Sequence, residues 1–175
     1  RLVSQLMTNN TSVNGSGGAV YSDSSSSPEL INCALVGNSA QWGGGIYNDG
    51  GSPELTNCIV WGNSAVSVGD QIERMGGNMV VTYSCIQGGY SGAGNIDANP
   101  LFMDPDGADG ILGNLDDDLR IQDHSPCVNS GDDSVLPVGI DKDLYSNPRI
   151  TGIAIDMGPH ETSVIPIGLS GFVID

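Results

Sequence analysis

An all-β solenoid is the fold this sequence predicts: a right-handed parallel β-helix of three to four coils with an irregular C-terminal cap. Three observations predict it. The chain repeats itself about every 25 residues. Each repeat holds short β-type runs punctuated by Gly, Asn, Asp and Ser. The composition, with 26 Gly and only two Phe in 175 residues, suits a narrow core with many turns, and helix-forming residues are thin.

The repeat is plain by inspection. The segment running from Ser52-Pro53-Glu54-Leu55 to Asn63-Ser64-Ala65 restates the one from Ser27-Pro28-Glu29-Leu30 to Asn38-Ser39-Ala40, 25 residues earlier. Gly17-Gly18-Ala19-Val20-Tyr21 returns as Gly43-Gly44-Gly45-Ile46-Tyr47. Weaker echoes are Leu6 to Thr11 upstream and Val81 to Gly89 downstream, the latter 27 residues after the Cys58 copy. A leucine-rich repeat has a similar period but needs many Leu at fixed offsets, which are absent here. The period therefore predicts a coil of two or three short strands.

Stacking such coils about 4.8 Å apart completes a core that one coil cannot bury alone. Equivalent residues then lie over one another. Cys33, Cys58 and Cys85 are expected to form an inward column, with Leu35 over Ile59 or Val60 and Val20 over Ile46. Asn32 over Asn57 and Asn38 over Asn63 are candidate amide ladders. The coils are expected to occupy residues 1–92, with Asp70 to Met79 leaving the wall as a loop. The open first coil predicts further coils before Arg1 or pairing with another molecule.

Repetition stops near Asn95. Residues 93–162 are expected to form an acidic loop and the cap, with strands at Leu119 to Gln122 and Ile150 to Ile155. Residues 163–175 form an apolar tail or linker. Hard cations take several oxygen ligands from turn-rich loops, so Asp104, Asp106, Asp109, Asp116 and Asp118, with Asp117 beside them, are candidate ligands for Ca²⁺. The order of an EF-hand is not met, and a solvated acidic loop is the competing interpretation. Cys127 either pairs with Cys85 or stands alone in the cap.

The formal charge of -16 repels nucleic acid, anionic membranes and, without cations, polyuronates. Neutral glycans and divalent metals are the natural partners. Four cysteines are too few and too dispersed for a disulfide scaffold, and no Cys-X-X-Cys pair suggests zinc. No apolar run reaches the length of a membrane span.

Taken together, these motifs resemble bacterial extracellular proteins with right-handed parallel β-helix repeats and a variable C-terminal anchor. The resemblance rests on Asn57-Cys58-Ile59-Val60-Trp61-Gly62-Asn63, on Gly43 to Tyr47, and on Tyr83 to Gly89 followed by Asn99-Pro100-Leu101-Phe102. Leu119-Arg120-Ile121, Ser125-Pro126-Cys127 and Ile155-Asp156-Met157-Gly158 are similar too. The chain then departs from the group's Ala-Tyr-Glu with Pro159-His160-Glu161. The resemblance implies secretion or display at the cell surface. It does not imply one activity, because one fold hosts many functions.

Three classes of function follow. A structural or adhesive module, such as a filament or matrix component, leads. Self-association through the open β-helix end or the apolar tail belongs to that expectation. A carbohydrate-binding module is the alternative, with Trp42, Tyr47, Trp61 and Tyr90 available to stack on sugars. The third class is the non-catalytic C-terminal part of a polysaccharide lyase or hydrolase whose catalytic coils lie upstream. The repeats show neither the basic cluster of a lyase nor a persuasive carboxylate pair for a hydrolase, so catalysis by this segment is not expected.

Overall fold

The computed structural model describes residues 1–162. The predicted apolar tail, residues 163–175, lies outside the described residues. The fold is a parallel β-solenoid of about three turns, and each turn has four short strands rather than two or three. The first coil holds β1 (Leu2–Val3), β2 (Leu6–Thr8), β3 (Thr11–Ser16) and β4 (Val20–Asp23). The second holds β5 (Glu29–Ile31), β6 (Ala34–Val36), β7 (Ser39–Trp42) and β8 (Ile46–Asp49). The third holds β9 (Glu54–Thr56), β10 (Ile59–Trp61), β11 (Ser64–Val68) and β12 (Ile72–Arg74). A partial fourth coil contributes β13 (Val80–Thr82) and β14 (Cys85–Ile86).

Like strands stack into four parallel sheets. Sheet 1 is β1-β5-β9-β13, sheet 2 is β2-β6-β10-β14, sheet 3 is β3-β7-β11 and sheet 4 is β4-β8-β12. The register follows the repeat: Leu30 faces Leu55, Leu35 faces Val60 and Val20 faces Ile46. Corners are made by single left-handed residues. Ser4, Asn32, Asn57 and Tyr83 turn sheet 1 into sheet 2, Asn9, Gly37 and Gly62 turn sheet 2 into sheet 3, and Gly88 holds the equivalent place after β14. The prevalence of Asn and Gly at these corners reflects the low cost of positive φ for them.

Alternation along the strands sends Leu30, Leu35, Ile46, Leu55, Val60 and Val81 inward to one core. Burying each of these stabilises the fold by about 1.5–3 kcal/mol relative to exposure. Ala34, Val36, Ile59 and Cys85 point the other way, yet they are also buried. They form a second core with Phe102, Leu119, Ile121, Cys127 and Met157. Sheet 2 is thus buried on both faces.

That second core shows how the C-terminal region is used. Residues 93–96 pair with the last coil: Tyr83 N donates to Ala93 O at 2.8 Å, and Ile86 N donates to Ile96 O at 2.9 Å. The chain beyond then runs along the flank of the solenoid. It includes β15 (Phe102–Asp104) and β16 (Asp118–Ile121), which pair antiparallel, and a 3-10 turn at Asp133–Val135. Closing the open end is therefore only the first part of its work; the longer part covers sheet 2.

Four expectations are corrected here. Asp70 to Met79 does not leave the wall, because β12 pairs with β8 and Met79 is buried in the inner core. Cys85 does not continue the cysteine column. It faces Ile59 across sheet 2, one place out of step, and joins the flank core. Asn32 and Asn57 occupy equivalent corners, but their amides reach into the flank segment instead of each other. Ile150 to Ile155 is irregular chain rather than a strand.

Candidate functional site

The amide ladder at Asn38 and Asn63 is present and longer than the repeat suggested. Asn10 Nδ2 donates to Asn38 Oδ1 at 2.8 Å, and Asn38 Nδ2 donates to Asn63 Oδ1 at 2.9 Å. Asn63 Nδ2 then donates to Gln71 Oε1 at 2.7 Å, and Gln71 Nε2 to Gln87 Oε1 at 3.2 Å. The ladder runs from the first coil to the fourth, and Asn38 within it is fully buried.

The four aromatic residues singled out from the sequence are not brought together. Trp42 ends β7 on sheet 3 and is 40% exposed. Tyr47 lies on sheet 4, where its ring stacks on Tyr21 in the adjacent coil, with centroids 5.9 Å apart and planes within 5°. Tyr21 Oη donates to Asp49 Oδ2 at 3.2 Å. Tyr21 stays half-exposed and Tyr47 is partly buried. Tyr90 is half-buried against the inner core beside Gln71 and Gln87. Trp61 packs against the flank core and borders a groove of about 370 Å³ with Asn99, Asp106, Leu112 and Gln122.

The aspartates of the acidic loop have separate occupations. Asp109 accepts from Asn114 Nδ2 at 3.0 Å and from Ile111 N at 2.9 Å. Asp116 accepts from Ala108 N at 2.9 Å, and Asp117 from Asn114 N at 2.8 Å. Asp118 pairs with Arg120, whose guanidinium holds its carboxyl below the ordinary value. Among the described residues, no three His, Cys, Asp or Glu side chains are grouped to hold a metal ion.

The feature that sequence reading missed is a buried charged cluster in the flank. Arg149, Asp156, Glu161, His160 and Asp143 are all buried, and Arg149 is only 1% exposed. Arg149 Nη2 lies 3.3 Å from Glu161 Oε1. It also donates to the carbonyls of Asp156 and Gly158. Burial, reinforced by the Asp156 charge, raises Glu161 to about 8. Burial likewise lowers His160 to about 4. His160 stacks on Tyr145, centroids 4.6 Å apart, with Arg120 over the Tyr145 ring.

A cleft of about 520 Å³ adjoins this cluster, bordered by Asp143, Tyr145, His160 and Glu161. Two carboxyls of opposite displacement could serve as an acid and a base. The hydrogen bonds assign them other work. Asp143 accepts from Tyr145 N, Asn147 N, Asn147 Nδ2 and Glu161 N. Glu161 Oε1 accepts from Asp156 N at 2.9 Å. Asp143 gathers the turn that precedes Arg149, and Glu161 fastens the end of the described chain. The available signal was a lone arginine, Arg149, followed by Asp156 and Glu161 in an acidic sequence.

No family model matches this chain, and neither the curated proteins nor the solved structures contain a match to it.

Proposed function

We propose that the chain is a structural or adhesive module of an extracellular or cell-surface protein, serving as a stiff spacer or a filament or matrix component. The observation that carries this reading is the axial ladder from Asn10 through Asn38 and Asn63 to Gln87. Its central side chains, Asn38 and Asn63, are buried and bind one coil to the next. The stacked Tyr21 and Tyr47 also join adjacent coils. Such ladders resist sliding and bending between coils. In this reading the segment does not itself catalyse. Strands β1 to β4 are paired on one side only among the described residues, and a further parallel coil, from this chain or another copy, would continue all four sheets.

The test is negative-stain imaging of the native material with intact mass of its subunit. Regular fibres from a subunit of 18.0 kDa support the filament form of this reading. Discrete particles with a much larger subunit support a spacer within a long surface protein. Depolymerisation of a polysaccharide by this segment overturns both.

Carbohydrate binding is the second reading, and the Trp61 groove favours it. A half-buried indole beside the side chains of Asn99, Asp106 and Gln122 combines an apolar wall with polar groups. The charge of -16 selects neutral sugars over uronates. Binding on a glycan array that Trp61→Ala abolishes supports this reading, and no binding to neutral glycans removes it. Calcium at residues 104–118 belongs to either reading as a stiffener of the loop. Heat on titration at roughly 10⁻⁴–10⁻³ M calcium, lost in Asp109→Asn, supports it.

A further inference from the structure

We propose that the flank cleft of about 520 Å³, bordered by β16, residues 143–147 and residues 160–162, is a binding site for a neutral saccharide. It shares no bordering residue with the Trp61 groove, and it stands whether or not that groove binds sugar. Its volume lies within the range of small-ligand sites, roughly 300–1,000 Å³.

Two side chains of its wall are more than nine-tenths buried and incompletely bonded. His160 is 5% exposed and Glu161 8%. His160 Nδ1 and Glu161 Oε2 have no hydrogen-bond partner among the described residues. Leaving such atoms unpaired is unfavourable, and a ligand that supplies their partners offsets that cost. The neighbouring charged groups are already occupied. Asp143 takes two donors on each oxygen, and Arg120 is held by Asp118.

The chemistry of the two free atoms selects the ligand. Burial lowers His160 to about 4 and raises Glu161 to about 8, so both are uncharged at neutral pH. A cation therefore finds no free carboxylate on the buried wall. An anion meets Asp123, Asp143 and a net charge of -16. A hydroxyl both donates and accepts, so it complements either tautomer of His160 and the acid form of Glu161. Vicinal hydroxyls of one sugar ring offer such groups in pairs. Met103 and Ile121 border the same cleft and suit the apolar face of the ring. Tyr145 is 57% exposed and stacks on His160. The ligand reaches the two buried atoms as the Tyr145 ring swings aside, and that ring then lies against the sugar.

The experiment is NMR titration of the full chain with neutral gluco-, galacto-, manno- and xylo-oligosaccharides. It reads the imidazole nitrogens of His160 and His124 and the indole N–H groups of Trp42 and Trp61. The expected result is that at least one of these sugars shifts His160 and leaves the exposed His124 in place. Tyr145→Ala should keep the circular dichroism of the parent and weaken that binding about tenfold, as the loss of one ring contact. No shift at His160 with any of these sugars would overturn the site. So would shifts confined to the Trp61 indole, or binding that Tyr145→Ala leaves intact.

Discussion

Asn32 and Arg149 donate to the same two carbonyls. Asn32 Nδ2 reaches Asp156 O at 3.0 Å and Gly158 O at 3.4 Å, and Arg149 Nη2 reaches them at 3.1 and 2.7 Å. One donor belongs to a corner of the second coil and the other to the flank. The segment between Asp156 and Gly158 is clamped from both sides, and Gly158 N donates to Asn57 O one coil further on.

Removing the arginine leaves acidic groups buried without their cation. Arg149→Met is therefore expected to destabilise the chain by about 3–5 kcal/mol, as for other broken buried pairs. Urea unfolding measures it. Glu161→Gln should cost much less, since burial already favours the protonated carboxyl. Equal losses from the two variants would remove the clamp from the account of stability.

The same cluster sets a pH dependence. Glu161, raised to about 8, faces Arg149, Asp156 and Asp143. A carboxyl raised on folding contributes stability that is complete below its ordinary value of 4.5 and lost as pH climbs through 8. His160, lowered to about 4, faces Asp143, Arg149, Asp118 and Arg120. Its contribution is complete above 6.5 and lost as pH falls toward 4. The two oppose one another between 4.5 and 6.5, and above 6.5 Glu161 acts alone. Urea midpoints should therefore fall from pH 6.5 to 8, and Glu161→Gln should flatten that fall.

The amide ladder predicts a contrast between two substitutions at one site. Asn38→Ala removes the side-chain bonds to exposed Asn10 and to buried Asn63, whose Oδ1 keeps the residue-38 backbone N as a donor, so the loss is that of ordinary hydrogen bonds, about 0.5–1.5 kcal/mol each. Asn38→Asp should be worse near neutral pH, because a carboxylate cannot donate to Asn63 Oδ1 and brings a buried charge. Chemical denaturation of both variants ranks them, and the opposite order would show that the ladder does not run in this direction.

Two corner glycines separate backbone strain from contact. Gly37 and Gly88 both have positive φ, at 67° and 81°. A Cβ at Gly88 meets nothing within 4 Å, whereas one at Gly37 would lie 2.6 Å from Leu112 O. Gly88→Ala should cost about 1–2 kcal/mol from conformation alone. Gly37→Ala should cost more and should expose the acidic loop to proteolysis. Equal losses and equal cleavage would mean that Leu112 does not press on this corner.

The stacking order was legible because Ser27 to Ala40 and Ser52 to Ala65 repeat almost residue for residue, and that identity fixes which side chains meet. The flank was not. Ala34-Leu35-Val36 and Ile59-Val60-Trp61 are unbroken apolar triplets, the pattern of strands buried on both faces. Cys85 was misplaced because the step between the third and fourth coils is one residue shorter than the cysteine spacing implied. Arg149, Asp156 and Glu161 meet only because the flank folds back onto the Asn32 corner, and no local pattern announces that. The aromatic residues chosen for sugar binding share a chemical type but sit on different sides of the coil, which a repeat period does not reveal by itself.

The flank segment also acts as a ruler. Gly113 lies against Val36 and Asn9, Asp156 and Gly158 are held at Asn32, Asp132 is held at Asn57, and Ile96 pairs at Cys85. One stretch of chain is thus keyed to a residue of each successive coil. A duplicated repeat inserted among these coils would put every later key one rung out of place. Growth of the solenoid by repeat duplication is then confined to the side of the first coil, where no key has to move.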